Sequence, residues 1–567
     1  SSHADSTVHW CTPGVMIRCL TLASLCVWAA GEDTGKTELV KLVAELQQQA
    51  RIQQERIAAY EALVQQRVQA SAESRKLSDA VYVYHKPSIY EGEEQELGIE
   101  RNYLPEEQLE YLMGHVWALL CGALVVFMQA GLAMIEAGNG RVKYVPHTLL
   151  KNTTIVTASC LGWWLFGWSF AHTGPYDSFG FKENKFAGRE QFAGHTFVSF
   201  RKDGQIEPSD AMGRWFYSWA ICGLATVIAS TGVAERMNFA GAMIFSFLFS
   251  SFIHPIVVAW TWGKGFLANM NRTGYVDFAG SGIVFMAGGW AALVGCVISG
   301  TRQGRFDGMV GRQRILDWPR SFQPHSMPLV VLGTFILWFG WYGLACGSTL
   351  AMHDIEKGML AAQVAMNTTI AAAGAGMLAF LLRFASCGKY DIGMFCNGIL
   401  SGLVSIAAGC STVESGSALA IGVIGGLMYT ATSILLKYRT VDDPVDAFAT
   451  YGVPGMWGVV AALLFEWGEG FSKVHGRNGF RCIAQPLGCL GEVDALGLDL
   501  AAANFSLIGV VILWVTVLSA IIFGVLKVSS CLMIPDESTG APVDEAAPGE
   551  RPQDGYKYEG VYGNSSI

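Results

Sequence analysis

A chain of 567 residues with 51% hydrophobic and only 15% charged residues is too apolar for an ordinary soluble domain, and its 66 glycines suit membrane helices. The net charge of −9, with most of the acidic excess in the two ends, excludes the basic surface that nucleic-acid binding requires. The 14 cysteines include no Cys-x-x-Cys pair and no zinc-like spacing with histidine, so most read as small buried hydrophobes, and no metal or cofactor is expected.

Residues 1–30 have the form of a leader. From Met16 a basic start, a short apolar run and small residues up to Ala30 outline a signal peptide. Residues 31–110 form an extracytoplasmic segment. Within it, residues 35–75 favour helix, and Val43, Leu46, Ala50, Ile57, Tyr60 and Val64 trace a heptad seam interrupted by Gln53. This stretch is either a short coiled coil or a solvated single helix. Residues 76–110 are acidic and irregular.

Eleven uncharged windows follow, at 111–135, 152–175, 215–234, 237–263, 278–301, 321–353, 358–382, 392–413, 415–436, 447–465 and 500–526. Each can hold a span of about 20 residues. An odd number puts the two ends on opposite sides. Arg141 and Lys143 in the first short loop lie on the same side as Arg302, Arg305, Arg312, Arg314 and Arg320, so that side is read as cytoplasmic. The chain is therefore predicted N-out and C-in, with 176–212 and 468–499 outside. Cys482 and Cys489 could pair there. Residues 528–567 are an acidic, largely disordered cytoplasmic tail.

Asp277 stands at the mouth of the fifth window. An ionisable group at the membrane edge is costly, which makes it either a functional residue or the cap of its own helix. Gly422–Gly426 lies inside a window and reads as close helix packing. No nucleotide loop, zinc helix or nucleophile motif is present, so an enzyme is not expected.

Several motifs together resemble the ammonium transporter (Amt/Mep/Rh) family. They are Phe127-Met-Gln-Ala-Gly-Leu-Ala-Met-Ile-Glu-Ala-Gly138, Gly232-Val-Ala-Glu-Arg236, Asp277-Phe-Ala-Gly-Ser-Gly, Phe339-Gly-Trp-Tyr-Gly, Asn397 through Cys410, and Asp442-Asp-Pro-Val-Asp446. They occur in family order across residues 111–527. The resemblance implies an all-α polytopic membrane protein of eleven helices in two inverted halves, assembled as a homotrimer with one pore per subunit. It implies ammonium or ammonia as substrate and the plasma membrane as location. The alternative is a non-conducting derivative, either an ammonium sensor or a trimeric scaffold.

Carried over by position, the resemblance assigns Trp262, with Trp260 nearby, as the vestibule aromatic that faces a cation, and Ser348 as a hydroxyl acceptor. Tyr217 is implied as a second vestibule aromatic, and Asp277 as the buried carboxylate that organises the site. An aromatic face plus an acceptor favours ammonium over potassium, because only ammonium brings N–H donors. The pore departs from the family. Ile221 and Leu344 stand where two gate phenylalanines are expected, and Phe285 and Tyr451 where two histidines are expected. Imidazole titrates near neutral pH and both donates and accepts; phenylalanine does neither. His115 and His254 lie in apolar windows and His325 and His353 near helix ends, none at the expected pore positions.

Overall fold

The computed structural model describes Gln48 and residues 106–534, except 174–175, 178–179, 182–185, 201–205, 208, 272–273, 312, 317–321, 353–354, 389 and 466–492. The leader, the candidate coiled coil apart from Gln48, Cys482, Cys489 and the tail beyond 534 lie outside the described residues. Everything below belongs to one of the two units into which the chain divides, Pro105–Ile567.

The described residues form eleven long helical rods, one for each apolar window. They are α1 (Glu106–Asn139), α2 (Val145–Gly162, continued by Trp163–Gly167 and Trp168–His172), α3 (Ala211–Thr231) and α4 (Phe239–Trp260). Next come α5 (Ser281–Ser299), α6 (Met327–Gly347), α7 (Ile355–Cys387) and α8 (Ile392–Ile406), then α9 (Ser415–Tyr438), α10 (Phe448–Leu464) and α11 (Val493–Val528). Seven of these, α1, α4, α5, α6, α7, α9 and α11, are long and apolar enough to cross a bilayer. Between α2 and α3 lie two small strand pairs of two residues each. The last helix begins at Val493, inside the stretch read from sequence as loop, and the sixth window narrows to Met327–Gly347.

Proline explains two of the irregular turns. Its missing N–H and its ring clash with the carbonyl four residues back, so an α-helix cannot continue unchanged through it. In α4 a wider π-turn, Phe249–Ile253, directly precedes His254-Pro255; in α10 the π-turn Phe448–Gly452 precedes Val453-Pro454. A third π-turn, Ser281–Met286, opens α5. Such turns commonly mark functional positions.

Glycine lets the helices touch backbone to backbone. On the α1–α6 seam a side chain at Gly131 would meet the Gly333 carbonyl at 2.8 Å, and one at Gly138 the Ser326 carbonyl at 2.7 Å. The rising residue numbers of α1 thus face falling numbers on α6, so the pair is antiparallel. The same holds for α5 and α10, where Gly455 lies on Ser281 and Gly289 on Gly452. Two antiparallel pairs, each joining corresponding helices of the two halves, are what an inverted repeat produces. Gly422 and Gly426 of α9 seat against Ala371 and Ala375 of α7, the close packing expected from sequence.

Two ionic clusters explain three motifs. Glu136 of α1 pairs with Lys151 of α2 at 2.8 Å, both fully buried, with Asn152 donating to the same carboxylate and Lys151 also reaching Ser230 of α3. At the helix ends, Arg302 sits between Glu235 (2.9 Å) and Asp442 (2.8 Å). Arg141 reaches Glu235 at 2.9 Å through Nε, and Arg236 approaches Asp442 at 3.8 Å and donates to the carbonyls of Gly232 and Asp442. The Arg141 and Arg302 guanidinium groups both lie over the Phe322 ring. Arg302 and Arg305, read from the sequence as charges of a loop, are both buried. Their meeting with Arg141 nevertheless puts the two arginine-bearing loops at one end of the bundle. We call this cluster the clasp.

Candidate functional site

At the opposite end of α3 from the clasp, the described residues enclose a cavity of about 330 Å³, here called the vestibule. Its walls come from α1 to α4, from the 261–278 connection and from the end of α6. Five of the residues singled out from sequence line it: Tyr217, Ile221, Trp262, Asp277 and Ser348. Leu344, Phe285 and Tyr451 do not; they are packed beyond it at 0–4% exposure. Trp260 is also elsewhere, edge-on to Trp514 and Phe266.

The hydroxyl geometry is informative. Tyr217 Oη donates to the Leu344 carbonyl at 2.8 Å, and Ser348 Oγ donates to the same carbonyl at 2.9 Å. A carbonyl can only accept, so both hydroxyl protons are committed there. The two oxygens, 3.4 Å apart, keep lone pairs for something that donates. A cation bearing N–H groups fits that demand.

Trp262 is fixed from below. Its indole Nε1 donates to the Asp277 carbonyl at 3.0 Å, and the ring edge lies over Gly280. Gly280 has φ +91°, and a side chain there would meet the indole at 3.0 Å, so glycine is needed on both counts. The Asp277 carboxylate accepts backbone amides from Gly280 (3.0 Å), Gly282 (2.8 Å) and Ile283 (3.0 Å). It caps the π-turn that starts α5, as the capping reading expects, and it also lines the cavity. Asp443 repeats the device in the other half, accepting the Phe448 amide at 2.8 Å before α10.

The two caps place the atypical pair. Phe285 and Tyr451 sit within the π-turns that follow Asp277 and Asp443, and their rings stack at 6.2 Å with a 19° interplanar angle. Phe285 is also stacked on Trp341 of α6 at 4.5 Å and 9°. A continuous aromatic stack thus occupies the centre, from Trp341 through Phe285 to Tyr451. Sequence reading quoted Trp341 only as part of a motif; its place against Phe285 had no local signal.

Sequence reading also set His254 aside and did not single out His172. Both line the vestibule, on the wall made by α2 and α4. His172 ends α2 and His254 follows the π-turn of α4, so neither falls in a motif that would mark it. Arg214 lines the mouth, within 3.6 Å of Asp210. Among the described residues no group of three or more His, Cys, Asp or Glu side chains could hold a metal ion.

The Ammonium Transporter Family description matches residues 116–551. Ammonium transporter Amt2 of Archaeoglobus fulgidus is 34% identical over 371 residues, which is 64% of this chain and 74% of that protein. Ammonium transporter 1 member 3 of Solanum lycopersicum is 31% identical over 458 residues, 78% of this chain and 92% of that protein. Among solved structures, one described as a Sensor Amt Protein superposes with a TM-score of 0.64 at 26% identity, covering 78% of this chain and 100% of that one. Saccharomyces cerevisiae Mep2 shares the fold, with a TM-score of 0.62 at 22% identity, covering 75% of this chain and 87% of that one.

Proposed function

This chain belongs to the ammonium transporter family, and on that premise we propose that it carries ammonium or ammonia across a membrane by a path within each subunit, entered at the vestibule. The observation that carries this reading is the pair of hydroxyl oxygens of Tyr217 and Ser348, which share the vestibule with the indole of Trp262. An ammonium ion there donates N–H bonds to the two oxygens and presents its charge to the aromatic face. Potassium has the charge but no protons to donate. Asp277 serves by capping α5 and holding Trp262 through its carbonyl, not by direct contact with the ion.

From Ile221 in the vestibule wall the path meets Leu344, then the Phe285–Tyr451 stack. Stripping an ion of water among apolar groups costs far more than moving a neutral amine. The phenylalanine ring offers no hydrogen bond to compensate. We therefore assign slow, electroneutral movement. All eleven rods are taken as membrane crossings, N-out and C-in, with the clasp on the cytoplasmic side. The assembly is a homotrimer in the plasma membrane. Expression in cells lacking their own ammonium transporters tests the reading. Restored growth on low ammonium, lost in Trp262→Ala, is expected; no restoration by a chain that reaches the membrane would overturn it.

A further inference from the structure

The vestibule contains more unpaired acceptors than its outer site uses. His254 is 1% exposed; its ring approaches the Ile283 backbone but neither nitrogen makes a well-formed hydrogen bond, and Nε2 of His172 is likewise buried without a partner. Most buried polar atoms in proteins are paired, because an unpaired one forfeits its hydration. Here the two histidines that carry these three nitrogens both line one cavity, which Trp262 and Ser348 also line.

The rings are held in place, not loose. His172 lies against Trp168 at 4.7 Å and edge-on to Trp163 at 6.1 Å, and it is within electrostatic reach of His254 and Arg214. His254 follows the π-turn Phe249–Ile253, stacks beside Phe249 at 6.2 Å, and has Pro255 as its next residue.

We propose that His172 and His254 form a second amine-recognition site on the inner wall of the vestibule, where neutral imidazole nitrogens accept N–H bonds from ammonium or methylammonium. Each neutral imidazole has one nitrogen lone pair available to accept. Ammonium has four N–H donors, and the hydroxyl oxygens of Tyr217 and Ser348 satisfy two of them. The imidazole wall supplies a separate pair of acceptors for an ion bound there, without a carboxylate. The two histidines therefore stand in for hydrogen-bonding capacity that Phe285 removes further along. This site rests on the transport reading, because it uses the same cavity and the same substrate.

The test uses the full chain in liposomes, with uptake of labelled methylammonium and the upward shift of the unfolding midpoint on adding ammonium. His254→Phe keeps a ring of similar size beside Phe249 but has no acceptor. It should lower uptake about tenfold or more and reduce the ammonium-induced shift to the share that the outer site contributes. His254→Gln, which retains an acceptor, should stay within about threefold of the unmodified protein. His172→Phe should fall by an intermediate factor. Two results overturn the site: both phenylalanine variants transporting like the unmodified protein, or His254→Gln losing as much as His254→Phe at an unchanged unfolding midpoint. Should His254→Phe fail to fold, His172→Phe and His254→Gln decide the matter by the same criteria. Failure of the unmodified protein to take up methylammonium and to respond to ammonium would overturn the transport reading, and this site with it. Uptake indifferent to all three substitutions would overturn this site alone.

Discussion

At one end of the bundle Arg302 is gripped by Glu235 and Asp442 at 2.9 and 2.8 Å, with Arg141 and Arg236 closing the cluster; at the other end Tyr217 and Ser348 turn their protons inward and leave oxygens facing a cavity. Both ends bury polar groups among apolar helices. In the clasp each carboxylate meets a guanidinium, and the cluster joins Glu235 at the end of α3 to Asp442 ahead of α10, one from each half. In the vestibule the polar atoms outnumber their partners, and the His254 nitrogens have none. Paired charge holds the halves together, whereas the free lone pairs of the vestibule suit a ligand that donates. Substitutions at the two ends should therefore separate stability from transport.

The largest stability effect is expected in the clasp. Arg302→Ala leaves Glu235 and Asp442 buried without their shared partner, a change that costs about 3–5 kcal/mol. Denaturant or thermal unfolding of the purified protein checks this. A loss below about 1 kcal/mol would mean that the clasp is not structural.

Acid should act on the same end. Burial alone would raise the Glu235 carboxyl, but Arg302 and Arg141 outweigh it and hold it below its ordinary value. Asp442 is likewise held low, burial being outweighed by Arg302 and Arg236. A carboxyl with a depressed folded value contributes stability that is complete above its unfolded value, near pH 4, and is lost as the pH falls below it. The unfolding midpoint should hold above about pH 4 and drop in more acid solution. Arg302→Ala should flatten that drop; an equally steep drop in the variant would locate the acid-sensitive groups elsewhere.

Vestibule substitutions should do the reverse. Trp262→Ala removes the cation-facing ring and should weaken ammonium binding by about 1–2 kcal/mol, roughly five- to thirtyfold. Ser348→Ala removes one acceptor and should weaken it by about 1 kcal/mol, with folding stability nearly unchanged because the Leu344 carbonyl keeps the Tyr217 bond. Calorimetric titration beside an unfolding curve measures both quantities. A Ser348→Ala variant that binds normally but unfolds early would reverse the assignment of that end.

The two halves were legible only through the family resemblance, and the positions of Phe285 and Tyr451 followed from it because the two aspartates cap the π-turns that carry the two rings. The vestibule residues Tyr217, Trp262 and Ser348 were legible through motif position. What stayed hidden depends on contacts distant in sequence. The Arg302 bond to Asp442 spans 140 residues, so a charge counted as loop proved to be core. His172 and His254 carry no local pattern, and only the packing of α2 beside α4 brings them to one wall. Trp341 became part of the central stack because its ring reaches across to Phe285 of α5, which no spacing announced.

The central claim is that ammonium enters at the vestibule and crosses slowly, without net charge, past the Phe285–Tyr451 stack. Its most direct test records uptake and current together in liposomes containing the purified protein, the Trp262→Ala variant, and the double variant Phe285→His with Tyr451→His. The account predicts slow uptake without current in the unmodified protein, less in Trp262→Ala and more in the double variant. A large ammonium current in the unmodified protein, unchanged by the double substitution, would contradict it.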